Sequence, residues 1–242
     1  MTVKVFDSNG YLKTLEATVT GVEEAWLEFD KTLFYPEGGG QPGDTGLIQG
    51  VGDRGEQAYS VLDTRKGANP GSVRHQLDNP EHGLQVGDRV LMTLDWDRRY
   101  RHMRMHTCLH LLGSLIPVPV TGGAVGADKS RLDFDIGELQ LDKDELTEGL
   151  NALIAAARDL KLETIEDAEL DANPGLVRTM SVQPPRGSGT IRMVRIDAVD
   201  YQPCGGTHVR NTAEIGPVRV SKIENKGKRN RRIHVVFAED NG

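Results

Sequence analysis

The sequence predicts an α+β protein: a small N-terminal β-barrel followed by a mixed domain built on an antiparallel sheet. Three observations carry this. Residues 1–92 hold alternating or β-rich runs at 15–22, 24–29, 57–62 and 89–94, separated by Gly, Asp, Asn and Pro clusters and without sustained helical period. From 97 to 116 apolar residues recur at three- and four-residue steps. Strand patterns then return at 132–136, 190–196, 218–223 and 233–237.

Each element has a local reason. Short strands at close spacing need closure or a second layer, so residues 1–94 are predicted to form a barrel. The helix at 97–116 rests on Met105, Leu109, Leu112 and Ile116, and Pro117 and Pro119 end it. A second helix is predicted from 142 to about 162, capped by Asp142 or Asp144. Its buried stripe is Leu146, Leu150, Leu153, Ile154 and Ala157. The second domain is therefore predicted to span 95–242.

Composition narrows the class. The chain has 242 residues, 37% hydrophobic and 27% charged, which is ordinary for a globular protein. The longest apolar stretch, 109–120, is broken by Gly and Pro and falls short of the ~20 residues of a membrane span. The N-terminal segment lacks the apolar run of a secretory signal, and two cysteines, Cys108 and Cys204, make no disulfide framework. A cytoplasmic protein with no membrane partner is expected.

The chemistry concentrates in two histidine–cysteine clusters. His106 and His110 share one face of the first predicted helix. Far along the chain comes Cys204-Gly-Gly-Thr-His208, whose glycines permit a turn that brings thiolate and imidazole together. One sulfur and three nitrogens suit tetrahedral Zn²⁺. Cys108 points away from the shared histidine face and reads as a small buried hydrophobe. A third motif, FYPEGGGQPGDTG at 34–46, sets Gly38, Gly39 and Gly40 before Gln41. Its backbone N–H groups could meet RNA or a ligand, but it lacks the Lys-Ser/Thr of a phosphate-binding Walker loop. By itself it also reads as a hairpin turn.

In this order FYPEGGGQPGDTG, RMHTCLHLL at 104–112 and CGGTHV at 204–209 resemble the AlaX-type alanyl-tRNA editing proteins. These are free-standing relatives of the editing domain of alanyl-tRNA synthetase and, more distantly, of the editing domain of threonyl-tRNA synthetase. The GGGQ-bearing first domain is similar to the medium-length class, and the resemblance extends to EIGPVR at 214–219 and the basic stretch at 226–232. Leu109 before the second histidine matches free-standing members, where synthetases tend to carry threonine. The resemblance implies a translation-factor-like barrel before a zinc-containing editing domain, with one zinc held by His106, His110, Cys204 and His208. It also implies hydrolysis of the ester joining serine, and sometimes glycine, to tRNA-Ala. Thr121 is the candidate contact for the serine hydroxyl, a turn threonine being the plain alternative. Gly122, with Gly123, would leave room for the amino acid. Thr121 and Gln41 are the candidate catalytic groups.

The net charge of −7 speaks mildly against a nucleic-acid partner, but the sum hides a segregated distribution. Residues 219–232 hold seven bases and one acid, whereas 133–171 hold thirteen acids and three bases. Arg229, Arg231 and Arg232 are therefore expected to meet tRNA phosphates, with no DNA partner. Two other readings stand beside deacylation of mischarged tRNA-Ala: a metallohydrolase of small esters or amides, and an RNA-binding module whose zinc is structural. The oligomeric state, monomer or homodimer, is open.

Overall fold

The computed structural model describes residues 1–51, 57–137, 139–177 and 189–239. It is α+β, rich in antiparallel sheet, and divides into two compact units. One comprises Met1–Gly38 and Pro42–Tyr100; the other comprises Gly39–Gln41 and Arg101–Gly242.

The first unit contains β1 (Val3–Lys4), β2 (Thr14–Glu23), β3 (Trp26–Phe29), β4 (Lys31–Thr32), β5 (Gly46–Gly50), β6 (Ala58–Lys66), β7 (Val73–Leu77) and β8 (Arg89–Leu94). Six of these close into a barrel in the order β2-β3-β7-β6-β5-β8, and β1 pairs with β4 outside it. Closure follows from alternation: Val19, Leu27, Phe29, Ile48, Val61, Leu77, Val90 and Met92 turn into one apolar core. His75 lies fully buried beside it, its ring between the Leu27 carbonyl at 3.2 Å and the Thr32 hydroxyl at 2.8 Å. Burial lowers its pKa to about 4, so it is neutral at physiological pH.

A buried ion pair ties down the loop that carries the glycine-rich motif. Arg99 Nε donates to both Asp44 carboxylate oxygens at 3.0 and 2.9 Å, and the guanidinium also reaches the Gly10 and Leu33 carbonyls. Asp44 in turn accepts from the Tyr35 backbone N–H at 2.6 Å. Both charged side chains are 1% exposed, so each depends on the other for its counter-charge.

The unit boundary falls inside α1 (Trp96–Leu115), after Tyr100. The second unit continues with β9 (Val120–Ala124), β10 (Lys129–Asp135), α2 (Lys143–Ala155), β11 (Leu160–Glu166), α3 (Asp167–Ala172), β12 (Thr190–Ile196), β13 (Asp200–Pro203), β14 (Val218–Asn225) and β15 (Asn230–Phe237). Where one antiparallel sheet was expected the described residues form two, β14-β15-β10-β9 and β11-β12-β13. Thr121 lies within β9 rather than in a turn.

Helix α1 is less amphipathic than its apolar spacing suggests. Met105, Leu109, Leu112 and Ile116 are buried as predicted, but so are His102, Met103, Thr107, Cys108 and Leu111. Burial raises the Cys108 thiol pKa to about 12, which leaves that residue as packing.

The second helix ends earlier than predicted. Asp142 is its N-cap, accepting from the Asp144 and Glu145 backbone N–H groups, and Leu146, Leu150 and Ile154 face inward. After Ala155 the chain turns through Ala157, whose φ of +50° lies in the left-handed region. Residues 160–166, predicted in part as helix, instead form β11, in register with β12 from Leu160↔Ile196 to Glu166↔Thr190. Long-range pairing outweighs the local helical pattern there. Asn151 and Thr147 of α2 complete the edge of β14: Asn151 bonds both the N–H and the carbonyl of Val218, and the Val220 N–H donates to Thr147.

Candidate metal centre

The four ligand candidates converge, although two come from a helix and two from a loop far along the chain. His106 and His110 project from the same face of α1, their ring centroids 5.4 Å apart. Cys204 and His208 sit in the loop after β13, with the His208 ring 4.4 Å from that of His106 and 4.8 Å from that of His110. The donor atoms of all four lie within 4.8 Å of one another. Cys204 Sγ is 3.5 Å from His106 Nε2 and 3.3 Å from His208 Nε2. Zinc bonds of about 2.0–2.1 Å to nitrogen and about 2.3 Å to sulfur put tetrahedral donors about 3.3–3.6 Å apart, and both of these sulfur–nitrogen separations match that spacing.

Each imidazole is held by its other nitrogen. His106 Nδ1 donates to Gln41 Oε1 at 2.8 Å, His110 Nδ1 to Asp200 Oδ2 at 2.8 Å, and His208 Nδ1 to Thr107 Oγ1 at 3.2 Å. Thr107 is oriented to accept because its hydroxyl donates to the Met103 carbonyl. Such outer contacts fix ring orientation and leave the Nε2 atoms for a common centre.

The loop itself is clamped. Arg192 Nη1 donates to the Cys204 and Gly206 carbonyls, each at 2.8 Å. Gln41 Nε2 donates to Thr207 Oγ1 at 2.8 Å, while the Thr207 N–H donates back to Gln41 Oε1 at 3.1 Å. The two glycines of CGGTH are unequal. A Cβ on Gly205 would meet nothing within 4 Å, whereas one on Gly206 would lie 2.1 Å from His106 Cε1.

Proton affinities show what this cluster favours. Burial opposes a Cys204 thiolate, but electrostatic interaction with the neighbouring His106 and His208 and hydrogen bonds to His106 and His110 hold its pKa well below the ordinary thiol value. Burial lowers the His208 pKa to about 3. At His110 burial works the same way, but the bonds to Asp200 and Cys204 outweigh it and raise the pKa to about 10. The cluster therefore favours an anionic sulfur at Cys204, the form in which cysteine binds a metal ion.

The remaining predicted residues divide. Gln41 is fully buried and its amide is engaged at both ends, so it braces the cluster. Gly40 has φ +81° and its carbonyl accepts from Val125, while an added Cβ would lie 2.8 Å from the Gly123 carbonyl oxygen. The bare Cα of Gly40 thus lets the Gly39–Gln41 segment lie against the Gly123 carbonyl of β9. Gly38 and Gly39 show no such tight approach, although Gly39 has φ +58°. Gly122 faces Asp133, and the Thr121 hydroxyl accepts from Asn230 Nδ2 at 2.9 Å. Arg232 forks onto Asp133 at 2.8 Å through Nε and Nη2, Arg229 reaches Asp135 at 2.9 Å, and Arg231 bonds the Gly227 and Asn230 carbonyls. Charges segregated along the chain thus meet across β10 and β15, in register Asp133↔Arg232. Sequence reasoning missed Asp200, Arg192, Thr107 and Thr207. Asp200 alone left a signal, an acid four residues before the cysteine.

This α+β fold and His₃Cys cluster coincide with similarity to tRNA synthetase domains. Residues 191–234 match the threonyl and alanyl tRNA synthetase second additional domain, and residues 4–98 match class II (A) tRNA synthetases. The chain belongs to the AlaX-M family of alanyl-tRNA editing proteins. It is 38% identical to the alanyl-tRNA editing protein AlaX-M of Methanosarcina barkeri over 99% of this chain and all of that one. The AlaX-M of Saccharolobus solfataricus is 35% identical over 97% of this chain and 98% of its own. An alanine–tRNA ligase of Saccharolobus islandicus is 35% identical over 92% of this chain but only 25% of the ligase.

Proposed function

We propose that this protein is a trans-editing hydrolase that deacylates mischarged tRNA-Ala, with serine as the amino acid removed and glycine as the second candidate. Full-length similarity to proteins named for alanyl-tRNA editing supports the activity. The single structural observation that carries it is the convergence of His106, His110, Cys204 and His208, three of them buried and the cysteine partly so.

One zinc ion held by these four residues would supply Lewis acidity toward the ester carbonyl or toward a water. The chain's own groups do the rest. Gln41, Asp200 and Thr107 hold the three imidazoles in the tautomer that faces the centre. The aminoacyl ester is already activated, so the site has to position water and substrate, and no nucleotide is consumed. Thr121, bonded by Asn230, is the group proposed to meet the serine hydroxyl; a polar contact that alanine leaves unpaired penalises the correct product. Residues 1–94, read as a translation-factor-like barrel, and the segment Gly38, Gly39 and Gly40 help to grip the tRNA, while 95–242 form the editing domain. Arg229, with its side chain 72% exposed, is the best placed of the three arginines to meet phosphate; Arg231 and Arg232 follow it on β15. The proposed location is the cytoplasm; among the described residues no helix is long and apolar enough to cross a membrane.

The test incubates the protein with Ser-tRNA-Ala, Gly-tRNA-Ala, Ala-tRNA-Ala and a free seryl ester, beside His106→Ala and Cys204→Ala. Zinc-dependent loss of Ser-tRNA-Ala with Ala-tRNA-Ala spared is the expected result. No zinc-dependent deacylation refutes it, and equal cleavage of the free ester points to a small-ester hydrolase.

A further inference from the structure

The three histidines differ in what stands behind them. His106 is backed by a neutral amide oxygen and His208 by a hydroxyl, whereas His110 is backed by a carboxylate. We propose that Asp200 is the principal positioning residue of the metal centre: it locks the His110 ring and supplies the second buried negative charge that retains the ion. The proposal rests on the reading of the cluster as a zinc site.

The placement of Asp200 is built into the sheet. It is the first residue of β13 and pairs with Ile196 across a tight turn, closed by the Val199 N–H to the Ile196 carbonyl, in which Ala198 has φ +59°. Along a strand, alternate residues share a face, so Asp200, Gln202 and Cys204 fall in one series. Tyr201, on the opposite face, lies over the Arg195 guanidinium. Gln202 Nε2 donates to Asp200 Oδ2 at 2.7 Å and holds the carboxylate toward His110. One short strand thus orients one ligand and delivers another.

Burial makes the charge consequential. The Asp200 side chain is fully buried and that of His110 is 7% exposed. A carboxylate in such a place is costly unless a cation answers it. The Cys204 thiolate and the Asp200 carboxylate together offset a divalent ion, whereas the thiolate alone leaves a positive charge buried. A carboxylate serving only the fold would act whether or not metal is present. One serving the metal acts on affinity and ligand geometry.

The experiment uses the full chain with Asp200→Asn, which keeps the shape and loses the charge, and Asp200→Ala, which loses both. Asp197→Asn, on the exposed β12–β13 turn beside Lys161, is the control. Zinc affinity is measured by competition with a chromophoric chelator, ligand geometry by the visible spectrum of the Co²⁺-loaded protein, and the fold by melting in chelator. Asp200→Asn is expected to weaken zinc binding about 10–100-fold and Asp200→Ala at least as much, both with altered Co²⁺ bands. The metal-free melting temperature should not fall in Asp200→Asn, and Asp197→Asn should match the parent. Zinc affinities within twofold of the parent in both Asp200 variants, or a lower melting temperature at unchanged affinity, overturn the proposal and leave the zinc reading standing. A parent that takes up no zinc overturns both.

Discussion

Replacing Gly206 by alanine tests how tightly the loop and the helix face are fitted. An alanine Cβ would lie 2.1 Å from His106 Cε1 and 2.4 Å from Nδ1, where carbon contacts ordinarily begin near about 3.5 Å. Something must move by more than about 1 Å. The loop is the harder to move, because Arg192 holds the Cys204 and Gly206 carbonyls and Gln41 holds Thr207. The His106 ring therefore gives way and loses its bond to Gln41 Oε1. Metal–ligand distances tolerate only about 0.2 Å, so a ring displaced that far stops being a ligand. Losing one donor of four should cost at least about 100-fold in zinc affinity, or about 2.7 kcal/mol. Chelator competition measures this directly, with Gly205→Ala as the matched control because its Cβ would enter open space. The expected result is strong loss for Gly206→Ala and parental affinity for Gly205→Ala. Equal, undiminished zinc binding by both variants would show that the loop and His106 are not packed as described.

Other consequences can be checked separately. His75 has a folded pKa of about 4 against an ordinary 6.5, so the unfolded chain binds a proton that the folded chain refuses between those values. Its stabilising effect is complete above pH 6.5 and is lost as pH falls toward 4. From pH 7 to pH 5 it should remove about 2 kcal/mol, and urea unfolding of His75→Gln should show that much less decline; identical declines would refute the assignment. Arg99→Met and Asp44→Asn each strand a buried charge or its partner and should cost about 3–5 kcal/mol, with a double-mutant loss smaller than the sum; additive losses in denaturant melts would mean the pair is not coupled. Arg229→Glu should weaken tRNA binding and reduce its salt slope by about 1, which nitrocellulose binding at several salt concentrations can measure. Arg232→Glu should also lower stability, because it sets a second carboxylate beside Asp133. A parental salt slope in Arg229→Glu would remove that residue from the phosphate contacts.

Much of the local architecture was legible because it obeys short periods. The run at 89–94 is β8, and the run at 15–22 lies within β2. The 3.6-residue period placed α1 to within a residue at each end, 97–116 against Trp96–Leu115. Period fails where a segment is short or glycine-rich. β9, β5 and β7 have five residues each, and β9 contains two glycines, so neighbouring strands rather than sequence pattern define them. It also fails where pairing competes with propensity, as at the start of β11, where the helix predicted to about residue 162 gives way to pairing with β12.

The sequence by itself determined the kinds of donor atoms, the shared face of His106 and His110, and the glycine-bearing turn that carries Cys204 and His208. These follow from residue chemistry and from spacings of a few positions. Only the tertiary structure decided that a side chain at Gly206 and not at Gly205 would strike His106, that Gln41 is a brace, and that Asp200 stands behind His110. It also decided that the basic stretch is partly neutralised, Arg232 by Asp133 and Arg229 by Asp135. Each of those facts depends on atoms brought within about 3 Å by chain segments many residues apart, and hydrogen bonds and close contacts act only at that range. Local pattern has no access to such distances; packing sets them.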